Sequence, residues 1–77
     1  MKDKYLDIET RLNNVLKMLN TAFSFDERKE VQGFIDVGEY GVALTTLNDI
    51  ITEEEKVVTQ DVYSYIDEIQ QLMDNDK

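Results

Sequence analysis

The sequence has no cysteine, no histidine, no tryptophan and no proline among its 77 residues. Without Cys or His the chain lacks a disulfide framework, the usual zinc ligands, a thiol nucleophile and an imidazole base. Long apolar runs are also missing, the longest being short stretches such as Val42-Ala43-Leu44, so we expect no transmembrane helix and no signal-peptide core. These absences predict a cytoplasmic protein that is not an enzyme and uses no metal or cofactor.

Positive charge is scarce as well. The chain carries 17 acidic and 8 basic residues, a net charge of −9, and its pI is about 4.2. Binding to a phosphate backbone needs clustered Lys and Arg, so we expect no direct contact with nucleic acid.

Apolar residues recur at steps of three and four, the spacing of one helical face. The predicted buried stripes comprise Tyr5, Ile8, Leu12, Val15, Leu16, Leu19 and Phe23; Val31, Phe34 and Ile35; Tyr40, Ala43, Leu44, Leu47, Ile50 and Ile51; and Val62, Tyr65, Ile66, Ile69, Leu72 and Met73. Strand-like alternation is nowhere sustained. The sequence therefore predicts an all-α fold, a single domain over residues 1–77 with about four helices packed into a bundle.

Helix ends are marked by capping residues and glycine. Ser24 and Glu27 have the spacing of a capping box before the second helix, and Gly38 can take the left-handed conformation that closes it. Thr59 is a plausible N-cap for the last helix. Gly41 lies inside the third helix, where glycine costs about 1 kcal/mol relative to alanine, so we expect another backbone to pass close to it.

Carboxylates are the only side chains that offer catalytic chemistry. Asp67 and Glu68 are adjacent and diverge by about 100° on a helix. Residues 53–55 are three consecutive glutamates with no flanking apolar pocket to raise a pKa. The stretch from Asp49 lacks the ligand spacing and the glycine of a calcium loop. We interpret these carboxylates as a solvated acidic face.

The acidic charge is concentrated in one half of the chain. Residues 1–37 carry seven acids and six bases, net −1, whereas residues 38–77 carry ten acids and two bases, net −8. Such a surface steers a positively charged partner and speeds its association. The predicted partner-binding residues are Asp49, Glu53, Glu54, Glu55, Asp61, Asp67 and Glu68.

One tyrosine is expected in this surface. Tyr5 and Tyr40 occupy apolar stripes and are expected in the core, but Tyr63 lies about 100° from the centre of the last stripe. Asp67 follows it on the same flank. An aromatic residue ringed by charge suits an interface, so Tyr63 is a candidate anchor, with a simple boundary position as the alternative.

The segment 38–51, GEYGVALTTLNDII, resembles the central signature of MafI-type immunity proteins, in which a Gly-Glu-Tyr-Gly-x-Ala-Leu run leads into a helix with acidic residues behind it. The resemblance implies a small bacterial cytoplasmic protein that binds a cognate basic toxin domain one to one. In such contact-dependent inhibition systems the toxin is often a nuclease, and several are EndoU-like ribonucleases. An inhibitor of that kind would block access of RNA to the toxin.

Two other functions are compatible with the sequence. A helical adaptor or self-associating regulator would dimerise through exposed residues such as Met18 and Tyr63. An acidic mimic of nucleic acid, directed at a DNA-binding protein, would share the electrostatics and differ only in its partner.

Overall fold

A computed structural model describes residues 4–74, and every regular element in that part of the chain is an α-helix. The helices are α1 (Lys4–Met18), α2 (Phe25–Asp36), α3 (Tyr40–Glu53) and α4 (Gln60–Asp74). Residues 4–74 contain no strand. The predicted all-α bundle of about four helices is therefore confirmed.

The first helix buries most of its predicted stripe, namely Ile8, Leu12, Val15 and Leu16. It ends at Met18, earlier than the apolar spacing indicates, and Leu19 and Phe23 are buried from the turn that follows. A hydrogen bond from the Phe23 amide to the Leu19 carbonyl, 2.9 Å, holds that turn. The expectation that Tyr5 belongs to the core is wrong: its position near the helix start leaves it 57% exposed.

Both ends of α2 follow the local sequence signals. The Glu27 amide donates to Ser24 Oγ at 3.1 Å and the Ser24 amide donates to Glu27 Oε1 at 2.9 Å, which completes the predicted capping box. At the other end Gly38 has φ +78°. Its amide donates to the Ile35 carbonyl, and the Glu39 amide donates to the Phe34 carbonyl. This is the Schellman pattern, which glycine adopts without steric strain.

The starts of α3 and α4 differ from each other. Thr59 caps α4 weakly, since its Oγ1 accepts from the Val62 amide at 3.4 Å, whereas Glu39 precedes α3 without a side-chain cap. The close backbone expected at Gly41 is absent from the described residues. The nearest atom to an added Cβ would be Met73 Cε at 3.8 Å, an ordinary contact distance.

The bundle is built from two principal helix pairs. Helix α1 packs mainly against α4 and α2 mainly against α3, while no Cα atoms of α2 and α4 within residues 4–74 lie within 8 Å of each other. The buried core comprises Ile8, Leu12, Val15, Leu16, Leu19, Phe23, Val31, Ile35, Ala43, Leu44, Leu47, Ile51, Val62, Ile66 and Ile69. No charged side chain in the described part is fully buried. Stability therefore rests on apolar packing between the helices.

Polar contacts at the edge of this core orient the helices. The Tyr40 hydroxyl donates to Glu9 Oε1 at 2.8 Å and links α3 to α1. Asn14 donates to the Tyr65 hydroxyl at 3.2 Å and links α1 to α4. None of the helices in residues 4–74 has both the length and the apolar character needed to cross a membrane.

Candidate protein-binding surface

Three consecutive glutamates occupy the end of α3. Glu53 is the last helical residue, Glu54 is the C-cap, and Glu55 has φ +50°. The Lys56 amide donates to the Ile51 carbonyl at 2.9 Å and the Glu55 amide donates to the Thr52 carbonyl at 3.3 Å. This is the same Schellman closure that Gly38 makes after α2, with glutamate in the left-handed position. We call residues 53–55 the acidic segment.

The acidic segment is electrostatically unfavourable for the fold. The carbonyl end of a helix carries partial negative charge, so a carboxylate there costs about 0.3–1 kcal/mol where a cation would stabilise. The last turn of α3 contains no basic residue. All three glutamates are exposed, and none forms an ion pair with another described residue. The three carboxylates repel one another at the helix end, and Glu55 also has a left-handed backbone. Within residues 4–74 no ion pair offsets either of these unfavourable features.

Replacing Glu55 with glycine is expected to raise the free energy of unfolding by about 1 kcal/mol, because glycine removes the left-handed strain of an L-residue. Glu54→Gly is the matched control, since it removes one negative charge at the neighbouring position. Glu54 has φ −91°, so glycine there gains no relief and is expected to be neutral or destabilising. Urea unfolding of both variants measures the difference. Equal effects would contradict the strain argument.

Lys56 fixes the connection that follows the acidic segment. Its Nζ lies 2.9 Å from Glu27 Oε1 and 6.0 Å from the centre of the Phe23 ring. The same Glu27 oxygen accepts the Ser24 amide. The hydrogen bond from the Ser24 backbone, together with the Lys56 ammonium, lowers the pKa of Glu27 below its ordinary value. One carboxylate thus caps α2 and binds the α3–α4 connection.

The lowered pKa of Glu27 makes its contribution to stability depend on pH. A carboxylate whose pKa is lower in the folded chain stabilises the fold above its unfolded-state pKa of about 4.5, and this contribution disappears as the pH falls through the folded-state value. We expect Glu27→Gln to destabilise the chain at pH 7 and to lose that effect progressively as the pH falls below about 4.5. Chemical unfolding from pH 3 to 7 measures it. Glu30→Gln, which removes one carboxylate at an exposed position of the same helix, is the matched control.

The predicted acidic residues of α4 fall on two flanks of the helix. Glu68 Oε1 accepts from Arg11 Nη1 at 3.3 Å, so Glu68 lies on the flank that faces α1. Asp61 is seven residues earlier and shares that flank. Tyr63 and Asp67 are four residues apart on the other side of α4. The charges of α4 therefore do not form one patch.

Asp49 belongs with the acidic segment. It is exposed and precedes Glu53 by four residues, so the two carboxylates occupy successive turns of one face of α3. The eight predicted residues thus form three groups, of which Asp49 with residues 53–55 is the largest. No group of three acidic side chains in the described ranges is arranged to hold a metal ion.

Val57 and Phe25 are among the exposed apolar residues that the sequence pattern did not single out. Val57 is 93% exposed, only two residues beyond the acidic segment, and Phe25 at the start of α2 is 66% exposed. Val57 is one of two consecutive valines, Val57-Val58, in the short connection before the N-cap Thr59, and this pair is the feature of the sequence that could have drawn attention to it. Only Val58 packs against the core. An apolar side chain beside unpaired carboxylates gives a partner an apolar contact within a charged rim.

Comparison with protein-family models, with curated proteins and with solved structures finds no match to this chain. The acidic segment and its neighbours are therefore interpreted from their own geometry and charge.

Proposed function

We propose that this chain is an immunity protein that binds a basic nuclease toxin through Asp49 and the acidic segment and thereby neutralises it. The observation that carries the proposal is the acidic segment itself, three carboxylates at the negative end of a helix that form no ion pair within residues 4–74, where they are expected to lower stability. Proteins retain locally unfavourable residues where binding or activity needs them. A cationic partner would supply the missing counter-charges and would convert this local cost into binding energy.

The partner class follows from the electrostatics and from the resemblance of residues 38–51 to MafI-type immunity proteins. A nuclease binds phosphates with clustered cations, and carboxylates placed on those cations compete with RNA. The shared motif has a structural role in this chain: Gly38 closes α2, while Ala43, Leu44 and Leu47 are buried. The motif thus shapes the α2–α3 hairpin that presents the acidic segment. The proposal places the protein in the bacterial cytoplasm, bound one to one to an EndoU-like ribonuclease domain.

The test begins with the reading frame next to the coding sequence of this chain. We expect it to encode a protein with a basic C-terminal domain. That domain, purified, should cleave RNA, and adding the chain at one equivalent should abolish cleavage. Calorimetric titration should give a stoichiometry of one. A neighbouring basic nuclease that neither binds the chain nor loses activity in its presence would overturn the proposal.

Self-association through Met18 and Tyr63 would need the two side chains to share one surface, and their positions on α1 and α4 do not favour that. Both are about two-fifths exposed. Met18 lies one turn beyond Asn14, which contacts α4 through Tyr65. Tyr63 precedes Tyr65 by two residues and projects about 160° away from it. Sedimentation velocity over a range of concentrations separates the two functions, because an adaptor of this kind would be dimeric in the absence of a partner.

A further inference from the structure

An open groove of about 660 Å³ runs between α1 and α2. Its lining residues on α1 and the following turn stand at positions 13, 16, 17 and 20, and those on α2 stand at positions 25, 28, 29 and 32. Both sets have the spacing i, i+3, i+4, i+7, which is one face of a helix over two turns, or about 10 Å. The groove is therefore bounded by two helix faces side by side and uses none of the residues of the acidic segment.

The groove is positively charged in a strongly acidic chain. Lys17, Arg28 and Lys29 line it, and none of the three forms an ion pair with another described residue. Arg28 Nε is buried and has no hydrogen-bond acceptor in the described structure. By contrast, Arg11 and Lys56 both have carboxylate partners. Although the chain carries 17 acids, these three cations have no counter-charge within residues 4–74, which indicates an anionic ligand.

The shape and the apolar content of the groove favour a helical ligand. Leu16 is a buried floor residue, and Phe25 is an exposed aromatic at the rim with Lys29 Nζ 5.9 Å from the centre of its ring. Two adjacent helix faces with an apolar floor accept the apolar stripe of a third amphipathic helix. Amide side chains at positions 13, 20 and 32 extend the polar edge of the groove.

A second copy of this chain fits the groove poorly. Two copies each carry a net charge of −9 and repel one another. The acidic helix α4 has its apolar residues Val62, Ile66 and Ile69 buried in its own core. Apart from Tyr63, its exposed side chains are polar or charged, so it offers a partner copy no apolar stripe. The occupant is therefore a different molecule that carries both carboxylates and unburied apolar residues.

We propose that the α1–α2 groove binds an acidic amphipathic helix of a partner protein. Carboxylates of that helix pair with Lys17, Arg28 and Lys29, and its apolar residues pack on Leu16 and Phe25. The chain thus has two recognition surfaces of opposite charge, and this second one stands whether or not the acidic segment binds a nuclease.

The probe is a lactam-bridged helical peptide with leucines at i, i+4 and i+7 flanked by glutamates, titrated into the ¹⁵N-labelled chain. We expect saturable NMR shifts of the side-chain amides of Asn13, Asn20 and Gln32. Lys17→Gln combined with Lys29→Gln should weaken binding at least tenfold. Thr45→Glu combined with Gln71→Glu changes the net charge by the same −2 at exposed positions of α3 and α4, and this control should change the affinity less than threefold. Phe25→Ala should also weaken binding.

Three results would overturn the proposal. The first is an absence of saturable shifts at millimolar peptide. The second is an equal response to a peptide with lysine in place of every glutamate. The third is an equal affinity for citrate or pyrophosphate at the same amides, which would assign the groove to a free anion.

Discussion

Reversing two charges of the acidic segment is expected to raise the stability of the chain and to weaken its binding to the toxin domain. In the variant Glu53→Lys with Glu54→Lys, cations replace carboxylates at the negative end of α3. Each should add about 0.3–1 kcal/mol to the free energy of unfolding. The same change removes steering charge from the proposed interface. We expect the association rate with the basic domain to fall at least tenfold at low salt, with a flatter dependence on ionic strength.

The control carries the same charge change elsewhere. Glu30→Lys with Asp36→Lys alters two exposed residues of α2 and shifts the net charge by the same amount, so any loss of binding it causes measures the long-range field alone. Stopped-flow association and urea unfolding give both quantities. An unchanged association rate in the Glu53 and Glu54 variant, or an equal loss in the control, would remove the acidic segment from the interface.

The opposite signs of these two effects distinguish a binding surface from a structural one. Removing a carboxylate that stabilises the fold lowers the free energy of unfolding, as expected for Glu27, which pairs with the Ser24 amide and with Lys56. The acidic segment lacks such partners among the described residues, so its removal should stabilise. Measuring the association rate and the free energy of unfolding on one set of variants therefore tests whether these carboxylates serve binding or the stability of the fold.

Features encoded by neighbouring residues could be predicted from the sequence. The capping box at Ser24 and the left-handed Gly38 each depend on a few residues and one backbone conformation. The helical stripes likewise follow from local spacing, and most of their members are buried. The left-handed backbone of Glu55 could not be predicted in the same way, because glutamate rarely adopts that conformation. Only the backbone of the folded chain reveals that it occupies the position glycine holds after α2.

Features that depend on how the helices meet could not be predicted. Tyr5 has the spacing of a core residue, yet it lies at the exposed end of α1. Gly41 suggested a close backbone, whereas its nearest neighbour is the flexible Met73 side chain. The α1–α2 groove brings Lys17 of α1 beside Arg28 and Lys29 of α2, and this arrangement depends on how the turn between the two helices folds rather than on the spacing within either helix. Periodicity identifies a helical face, but helix ends and neighbours decide whether that face is covered.

The largest loss of stability is expected from truncating the core at Leu12. This side chain is fully buried in the middle of α1. Leu→Ala substitutions at such positions remove transfer energy and leave a cavity, at a cost of about 2–5 kcal/mol. A chain of this length has about 4–11 kcal/mol of stability in total. We expect the melting temperature of Leu12→Ala to fall by at least about 8 °C, or the variant to be unfolded at room temperature.

Leu6→Ala provides the matched control, since it makes the same chemical change in the same helix. Leu6 is 59% exposed, so truncation there leaves no enclosed cavity and should cost less than about 1 kcal/mol. Differential scanning calorimetry and circular dichroism compare the two variants directly. Losses of similar size would mean that α1 does not present the Leu12 face to the other helices. A large loss at Leu12 alone would support packing of α1 on the core through the face that Leu12 shares with Leu16, which follows it by about one turn and forms the floor of the α1–α2 groove.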